Sequence, residues 1–291
     1  MPAGWLALLM LLLSVAATRP VAGASEFDRT VPVRPGMRLD VRLFGGEIIV
    51  RAWDRDMVRV RATHFSTDTI DVRTEGPAVA VRARARSGTP HAIDFVIDVP
   101  DWMAVSLAGT YLDIRVDGTR ADVSAETVRG DVRVTGGEGR LVLKSVEGEV
   151  VIERGRGRAE VRSVNNAVRV LGMEGDLVAE TVSGSVKMQG VDGRSVVVST
   201  MSGDISWDGP LAPSGRYQFA THDGDLDVTL PDTAAANVSV RSFDGEVHTT
   251  FPVKLPDGTS GRKRFGFALG NGGPVLELET FTGTISIRKQ G

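Results

Sequence analysis

The chain has 291 residues, a formal net charge of −3, 42% hydrophobic residues, 34 glycines, four histidines and no cysteine. The lack of cysteine excludes disulfides, thiol catalysis and cysteine–zinc sites. The slight excess of acidic over basic residues argues against a nucleic-acid-binding protein.

The first 24 residues have the features of a signal peptide. An apolar stretch runs from Leu6 to Ala17 and is shorter than a membrane-spanning helix. Ala22-Gly23-Ala24 follows the small-x-small pattern of a cleavage site. We therefore expect export, cleavage after Ala24, a periplasmic or cell-surface location, and no stable membrane span after cleavage.

Residues 25–35 are predicted to be an extended lead-in to a single β-repeat domain over residues 36–290. Residues 36–105 contain longer alternating strands at less regular spacing, which we interpret as an N-terminal cap. Gly45-Gly46 precedes Ile48 and Val50, a pattern that already matches the repeat described next.

From about residue 121 one pattern recurs: apolar-x-apolar-x-Ser/Thr-apolar-x-Gly-x-apolar-x-apolar. We number each repeat from its glycine position, called the slot, as position zero. Steps of 18 to 21 residues, and one double step of 38, separate the slots Gly130, Gly148, Asn166, Gly184, Gly203, Gly224, Gly245 and Gly283. Apolar residues at positions −7, −5, +2 and +4 have the period of two that indicates half-buried strands.

A period near 20 residues predicts an array of stacked coils, because one repeat cannot bury its own apolar face. We expect an all-β fold, a repetitive β-solenoid resembling a parallel β-helix, with positions −7, −5, +2 and +4 pointing inward. An antiparallel β-sandwich or meander is the alternative, since periodicity alone does not exclude it.

Two positions are interpreted as structural. Seven of the eight slots hold glycine and the remaining one holds Asn166, which indicates a turn with positive φ. Position −3 is always Ser or Thr, and stacked hydroxyls beside a turn can satisfy backbone groups. No base recurs beside these hydroxyls, so we expect no catalytic nucleophile.

Three carboxylates form the candidate metal site. Asp204, Asp225 and Glu246 hold position +1 in consecutive repeats, so stacking would place them about 5 Å apart. A cation such as calcium would relieve their repulsion. A solvated face without metal is the simpler interpretation, and Asp225→Asn is then expected to leave stability unchanged or slightly raised.

The other candidate residues predict no catalytic site and no cofactor. His222 occupies position −2 and is interpreted as a half-buried packed residue. Trp207 lies at an inward position and is predicted to be core, whereas Trp53 and Trp102 are suited to stacking on sugars. Residues 252–274 are predicted to be a loop insertion that contains the basic triplet Arg262-Lys263-Arg264.

Several motifs extend over about residues 31–288. They are Val33-Arg34-Pro35-Gly36 before Leu39-Asp40-Val41, Phe44-Gly45-Gly46-Glu47-Ile48, Ile97-Asp98-Val99-Pro100, and the repeat itself, ending in Thr280-Phe281-Thr282-Gly283-Thr284-Ile285. In these motifs the chain resembles a bacterial family of exported β-strand-repeat proteins of unknown function called "putative adhesin". The resemblance implies a repeat fold and a surface role, and it transfers no catalytic residues.

We therefore expect a non-catalytic exported β-repeat protein that acts as a cell-envelope interaction or adhesion scaffold. Its partner would be an unidentified protein or glycan of the envelope. The alternatives are a carbohydrate-active β-solenoid enzyme, which needs paired carboxylates, and an ion- or glycan-binding module.

Overall fold

The computed structural model describes residues 24–89, 91–253 and 263–290. The predicted signal peptide lies outside the described residues except for residue 24. In the described ranges the regular elements are 24 β-strands. Over the same ranges, no helix is long and apolar enough to cross a membrane.

Seven strands form the N-terminal part of the fold. They are β1 (Ala24–Pro32), β2 (Arg38–Trp53), β3 (Met57–Phe65), β4 (Asp68–Glu75), β5 (Ala78–Ala85), β6 (Asp94–Pro100) and β7 (Ala104–Asp117). β2 and β7 are long strands that pair in parallel along almost their whole length. β2 is therefore a complete coil, and the repeat begins within the segment interpreted as a cap.

The middle of the chain forms six coils, each with one strand before the slot and one after it. These strands are β8 (Val123–Arg129) with β9 (Val132–Thr135), β10 (Glu138–Glu147) with β11 (Val150–Glu153), β12 (Arg156–Ser163) with β13 (Val168–Leu171), β14 (Glu174–Glu180) with β15 (Val186–Gln189), β16 (Ser195–Ser202) with β17 (Ile205–Asp208), and β18 (Arg216–Asp223) with β19 (Leu226–Leu230).

Strands of successive coils pair in parallel, and the register advances by one repeat at each step. Leu141 lies beside Ala159, and Val150 beside Val168. Strands before the slot form one ladder, and strands after the slot form a second. This pairing confirms the predicted β-solenoid and rules out the antiparallel sandwich as the architecture of these coils.

The C-terminal coils depart from chain order. Their strands are β20 (Ala236–Asp244), β21 (Val247–Thr249), β22 (Lys263–Leu269), β23 (Val275–Thr282) and β24 (Ile285–Lys289). β23 pairs in parallel with β18 on one side and with β20 on the other. The last coil of the chain therefore lies between the two coils that precede it in sequence.

Antiparallel strands close both ends of the stack. At one end β4 pairs with β5, and β3 pairs with β1 and β6. At the other end β22 runs antiparallel to β20 and returns the chain to the side where β23 begins. The prediction of a loop over residues 252–274 is therefore wrong in part, because β22 lies inside it.

The inward side chains of the two ladders form one continuous core. Val132, Val150, Val168 and Val186 are fully buried, as the repeat predicts. Burial of each such side chain stabilises the fold by about 1.5–3 kcal/mol relative to exposure. At the C-terminal end Val247 and Thr249 are only half-buried, because β21 has a described strand on one side only.

Candidate functional site

The slot glycines stack on one another along one corner of the solenoid. A Cβ atom on Gly148 would lie 1.8 Å from the carbonyl oxygen of Gly130. No side chain fits there unless a coil moves. The prediction that positive φ selects glycine is wrong at several slots, because Gly148 and Gly184 do not have positive φ. Close approach of successive coils is the constraint that these slots share.

Among the eight slots of the repeat, Asn166 is the one whose residue carries a side chain, and its φ is not positive either. The corner differs here. β12 ends at Ser163, the amide of Asn165 donates to the carbonyl of Val146 at 3.1 Å, and the amide of Asn166 donates to Ser163 Oγ at 3.3 Å. We attribute the space for the asparagine side chain to this local shift of the backbone.

The hydroxyls at position −3 are buried, and six of the eight connect successive coils. Ser145 Oγ donates to the carbonyl of Gly130 at 2.9 Å, and Thr221 Oγ1 donates to that of Gly203 at 3.0 Å. The same type of bond is made by Ser163, Thr181, Thr200 and Thr280. These hydroxyls serve the backbone, as predicted, although the bonds run between coils instead of within one turn.

Position +1 provides acceptors for the next coil. Asp204 Oδ1 accepts a hydrogen bond from the amide of Asp225 at 2.9 Å, and Asp225 Oδ1 accepts one from the amide of Thr284 at 2.7 Å. Glu246 is not adjacent to Asp225, because Thr284 of the inserted coil lies between them. The predicted ladder of three stacked carboxylates is therefore wrong.

The same arrangement recurs near the other end of the stack. Asp113 Oδ1 accepts from the amide of Asp131 at 2.8 Å, and Asp131 Oδ1 accepts from the amide of Glu149 at 2.7 Å. Throughout the described residues, no group of three or more His, Asp or Glu side chains is placed to hold a metal ion.

The three tryptophans considered as candidates lie in different environments. Trp207 is buried, as predicted, and packs against Tyr217 with ring centroids 5.3 Å apart. Trp53 and Trp102 are half-buried and donate to the carbonyl of Met57 and the carboxylate of Asp56, respectively. They anchor one turn of the cap and do not form an open stacking platform.

Position −2 forms a row of outward-facing apolar side chains along the solenoid. We call this row the apolar ridge. Its members, in spatial order, are Phe44, Val128, Val146, Val164, Val182, Met201, His222, Phe281 and Phe243. Thr110 of β7 holds the place between the first two. The hydrophobic members other than Val164 are 38–55% exposed. Ten ladder positions at about 4.8 Å spacing make the ridge about 43 Å long.

Both ends of the apolar ridge are aromatic. At the N-terminal end Phe44 contacts Tyr111, with ring centroids 5.3 Å apart. At the C-terminal end Phe243 stacks on Phe281 at 4.5 Å, and His222 stacks on the other side of Phe281 at 4.7 Å. The interpretation of His222 as a half-buried residue is wrong, because the outer corner leaves its side chain exposed.

Ion pairs between neighbouring coils flank the apolar ridge. At position −1, Arg129 pairs with Glu147 at 2.5 Å, and the hydrogen bond that its guanidinium donates to this carboxylate raises the pKa of the arginine. At position −4, Arg162 pairs with Glu180 at 3.0 Å and Arg241 with Glu279 at 3.1 Å. Much of the charge beside the apolar ridge is therefore already compensated.

A groove of about 480 Å³ lies beside the C-terminal end of the apolar ridge. Met201, His222, Phe243 and Phe281 form one wall. Small residues at position −4, such as Ala220, leave the space open. The buried Oγ of Ser242, at the bottom of this region, has no hydrogen-bond partner among the described residues.

The sequence contained a signal for the apolar ridge that we did not interpret. Positions −7, −5 and −3 point inward, so alternation places −2 outward, where Val, Met or Phe nevertheless recurs. A repeated apolar residue at an exposed position is typical of an interaction surface.

A family profile described as Toastrack DUF4097 matches residues 39–288 of the chain. No curated protein matches the chain. Among solved structures, the chain is similar to a "putative adhesin" from Bacteroides fragilis, with 11% identity, a TM-score of 0.46, and coverage of 90% of this chain and 97% of that one.

Two further structures are similar to the chain. One is a "putative lipid binding protein" from Parabacteroides distasonis, with 10% identity, a TM-score of 0.43, and coverage of 91% of this chain and 97% of that one. The other is a "putative cell adhesion protein" from Clostridium sporogenes, with 10% identity, a TM-score of 0.26, and coverage of 91% and 100%.

Proposed function

Because the chain belongs to the Toastrack DUF4097 family, whose description states no activity, we propose its function from its own surface. It is an exported, non-catalytic interaction scaffold of the cell envelope, and it makes its contacts through the apolar ridge. The observation that carries this proposal is the row of exposed apolar side chains that recurs in coil after coil.

The energetics favour a contact surface at the ridge. An exposed apolar side chain contributes nothing to the core, whereas its removal from water on binding is favourable by roughly 25 cal/mol per Å². The ridge aligns seven exposed apolar residues and His222, the kind of patch that marks interaction sites on soluble proteins. The paired charges beside it reduce the electrostatic cost of covering it.

The carboxylates give less support to an enzyme. Glycoside hydrolysis needs two carboxylates facing one substrate. In this fold Asp113, Asp131, Asp204 and Asp225 instead accept hydrogen bonds from amides of neighbouring coils. Their placement suits a structural role.

The test is retention of the protein in washed envelopes of the native host. Val146→Glu combined with Val182→Glu places two charges on the apolar ridge. Val178→Glu, an outward-facing position on the same ladder away from the ridge, is the matched control. We expect the double variant to be released into the soluble fraction and the control to be retained. Equal retention of all three proteins would refute the proposed role of the ridge.

Two measurements test the remaining parts of the proposal. N-terminal sequencing of the mature protein should begin at Ser25 if the chain is exported and cleaved after Ala24. A polysaccharide-depolymerisation assay should show no turnover. Turnover that disappears on a single Asp→Asn substitution would show that the protein is an enzyme.

A further inference from the structure

We propose that the apolar ridge of one copy of this chain docks on the apolar ridge of a second copy, with the two solenoids antiparallel. This inference rests on the proposed function, because it names the partner of the surface through which that function acts. It is carried by the order of side chains along the ridge, the charges beside it and its size.

The centre and the two ends of the apolar ridge have the same character in both directions. The midpoint falls between Val164 and Val182, so the centre is aliphatic. Phe44 with Tyr111 forms one end, and Phe281 with Phe243 forms the other. In an antiparallel pair the aliphatic centres meet, and each aromatic end lies against an aromatic end. Aromatic pairs of this kind add about 0.5–1.5 kcal/mol beyond the area that they bury.

The flanking charges fit the same arrangement. A two-fold axis perpendicular to the ridge places position −1 of one copy against position −1 of the other. The coils of Val164 and Val182 lie on either side of the midpoint. Arg129 lies two coils beyond the coil of Val164, and Asp223 lies two coils beyond the coil of Val182. Arg129 of each copy therefore faces Asp223 of the second copy. Position −1 brings no two like charges together.

Position −4 brings one pair of opposite charges together at the centre and one pair of like charges at the outer ends. Arg162 and Glu180 lie on either side of the midpoint and therefore face each other across the two copies. The one like-charged pair would be Arg42 with Arg241 at the outer ends of the ridge. There each arginine already has a carboxylate partner, Asp40 for Arg42 and Glu279 for Arg241.

The area is sufficient for a specific dimer. The ridge is about 43 Å long. The contact surface along the ridge, from position −4 to position −1, spans about 10 Å along the strand, or about 15 Å with the side chains included. About 650 Å² per copy would be buried, close to the roughly 800 Å² per partner of standard-size interfaces. A two-fold contact of this type also closes on itself and does not continue into a filament.

Sedimentation equilibrium of the purified protein tests the dimer. The wild type and Val178→Glu are expected to dimerise at micromolar concentration, and the Val146→Glu/Val182→Glu variant to dissociate about a hundredfold more easily. Circular dichroism verifies that the variant is folded. A wild type that is monomeric up to millimolar concentration, or a double variant that dimerises as tightly as the wild type, would overturn the inference.

Cysteine cross-linking tests the antiparallel arrangement, and the chain contains no cysteine of its own. Val128→Cys and His222→Cys lie at equal distances from the midpoint. Mixed under mild oxidation, the two variants should form a disulfide-linked heterodimer, whereas each alone should form little. Linkage within Val128→Cys alone would indicate parallel ridges and contradict the proposal.

The two proposals fail separately. If the protein is monomeric but the ridge variant is still lost from washed envelopes, the second copy is excluded and the interaction function stands. If the protein dimerises through the ridge but envelope retention does not depend on it, the dimer stands and the proposed function fails.

Discussion

Successive strands of a β-sheet are separated by about 4.8 Å, and at the slot the backbone of one coil lies directly over that of the next. The carbonyl oxygen of one slot residue then points into the space where the slot residue of the next coil would place its Cβ atom. The hydroxyl at position −3 donates to that same carbonyl. Glycine and Ser/Thr are therefore two parts of one connection between coils.

Gly148→Ala tests whether crowding or backbone conformation selects glycine at the slot. Gly148 has crowding without a positive φ, whereas Gly76 has a φ of 57° with open space around it. Crowding predicts a loss of about 3 kcal/mol for Gly148→Ala and about 1 kcal/mol for Gly76→Ala. Urea unfolding measures both. A smaller loss at Gly148 than at Gly76 would contradict the steric explanation.

Asp225→Ala tests the role of the carboxylates at position +1. The amide of Thr284 loses its acceptor, so we expect a loss of about 1 kcal/mol. Asp225→Asn keeps an acceptor oxygen and should lose less. Glu246→Ala serves as the control, because this exposed carboxylate pairs with the exposed His248, and it should be nearly neutral. A rise of several degrees in the melting temperature of the wild type with added calcium would show a metal site instead.

At the scale of the element, the repeat specified most of the fold. Residues two apart in β10 or β11 point the same way, and a shift by 18 residues leads to the next coil. The order of the last two coils could not be predicted, because all coils share one pattern and the repeat does not distinguish one neighbour from another. The identity of neighbours is set by the return strand β22, which sequence periodicity does not reveal.

The candidate site was less predictable than the fold for a related reason. Glu246 follows Asp225 in the repeat but not in space. The predicted carboxylate ladder therefore assumed that these two residues are neighbours, whereas Thr284 lies between them. The apolar ridge was visible as a column of residues such as Val128 and Val146. Their outward direction follows only if the strand alternation is extended to position −2. At the corner that comes next the alternation ends, because positions −2 and −1 both point outward.

The inserted position of β23 and β24 makes a prediction about truncation. A chain that ends after residue 272 loses a coil from within the stack, so β18 and β20 lose their shared partner. The unpaired strands and the exposed apolar faces of Phe219 and Val240 should then cause aggregation. Soluble yield and far-ultraviolet circular dichroism measure this. A soluble truncated protein with a cooperative thermal transition would contradict the inserted arrangement.

At the scale of the whole molecule, the fold is quasi-one-dimensional, because each coil contacts mainly its two neighbours. The core runs without interruption from the first coil to the last. The stack ends in antiparallel strands, which pair with β5 and β6 at one end and with β20 at the other. The length of the solenoid is therefore set by the number of repeats, and its closed ends do not depend on that number.

Duplication of residues 138–155 tests this modularity. Glu138 lies in register with Arg156, so a second copy inserted after residue 155 supplies one complete coil with its own slot. We expect a folded protein about 4.8 Å longer, as measured by small-angle scattering, with a cooperative transition. The control is the same duplication without Val142, which reverses the faces of one strand and should be clearly less stable. Equal stability of both proteins would argue against a fixed register.

The place of the last coil also determines when the fold can be completed. As a chain emerges from the ribosome, the coils up to β19 can add in sequence, each on the one before. The coil of β20 and β21 cannot take its final place until residues 275–289 have emerged to fill the gap. Contacts such as that between Asp225 and Thr284 join residues 59 positions apart, and such closures are slow compared with local steps. Completion of this part of the fold therefore waits for residues 275–289, and a product terminated before them lacks the coil that joins β18 to β20.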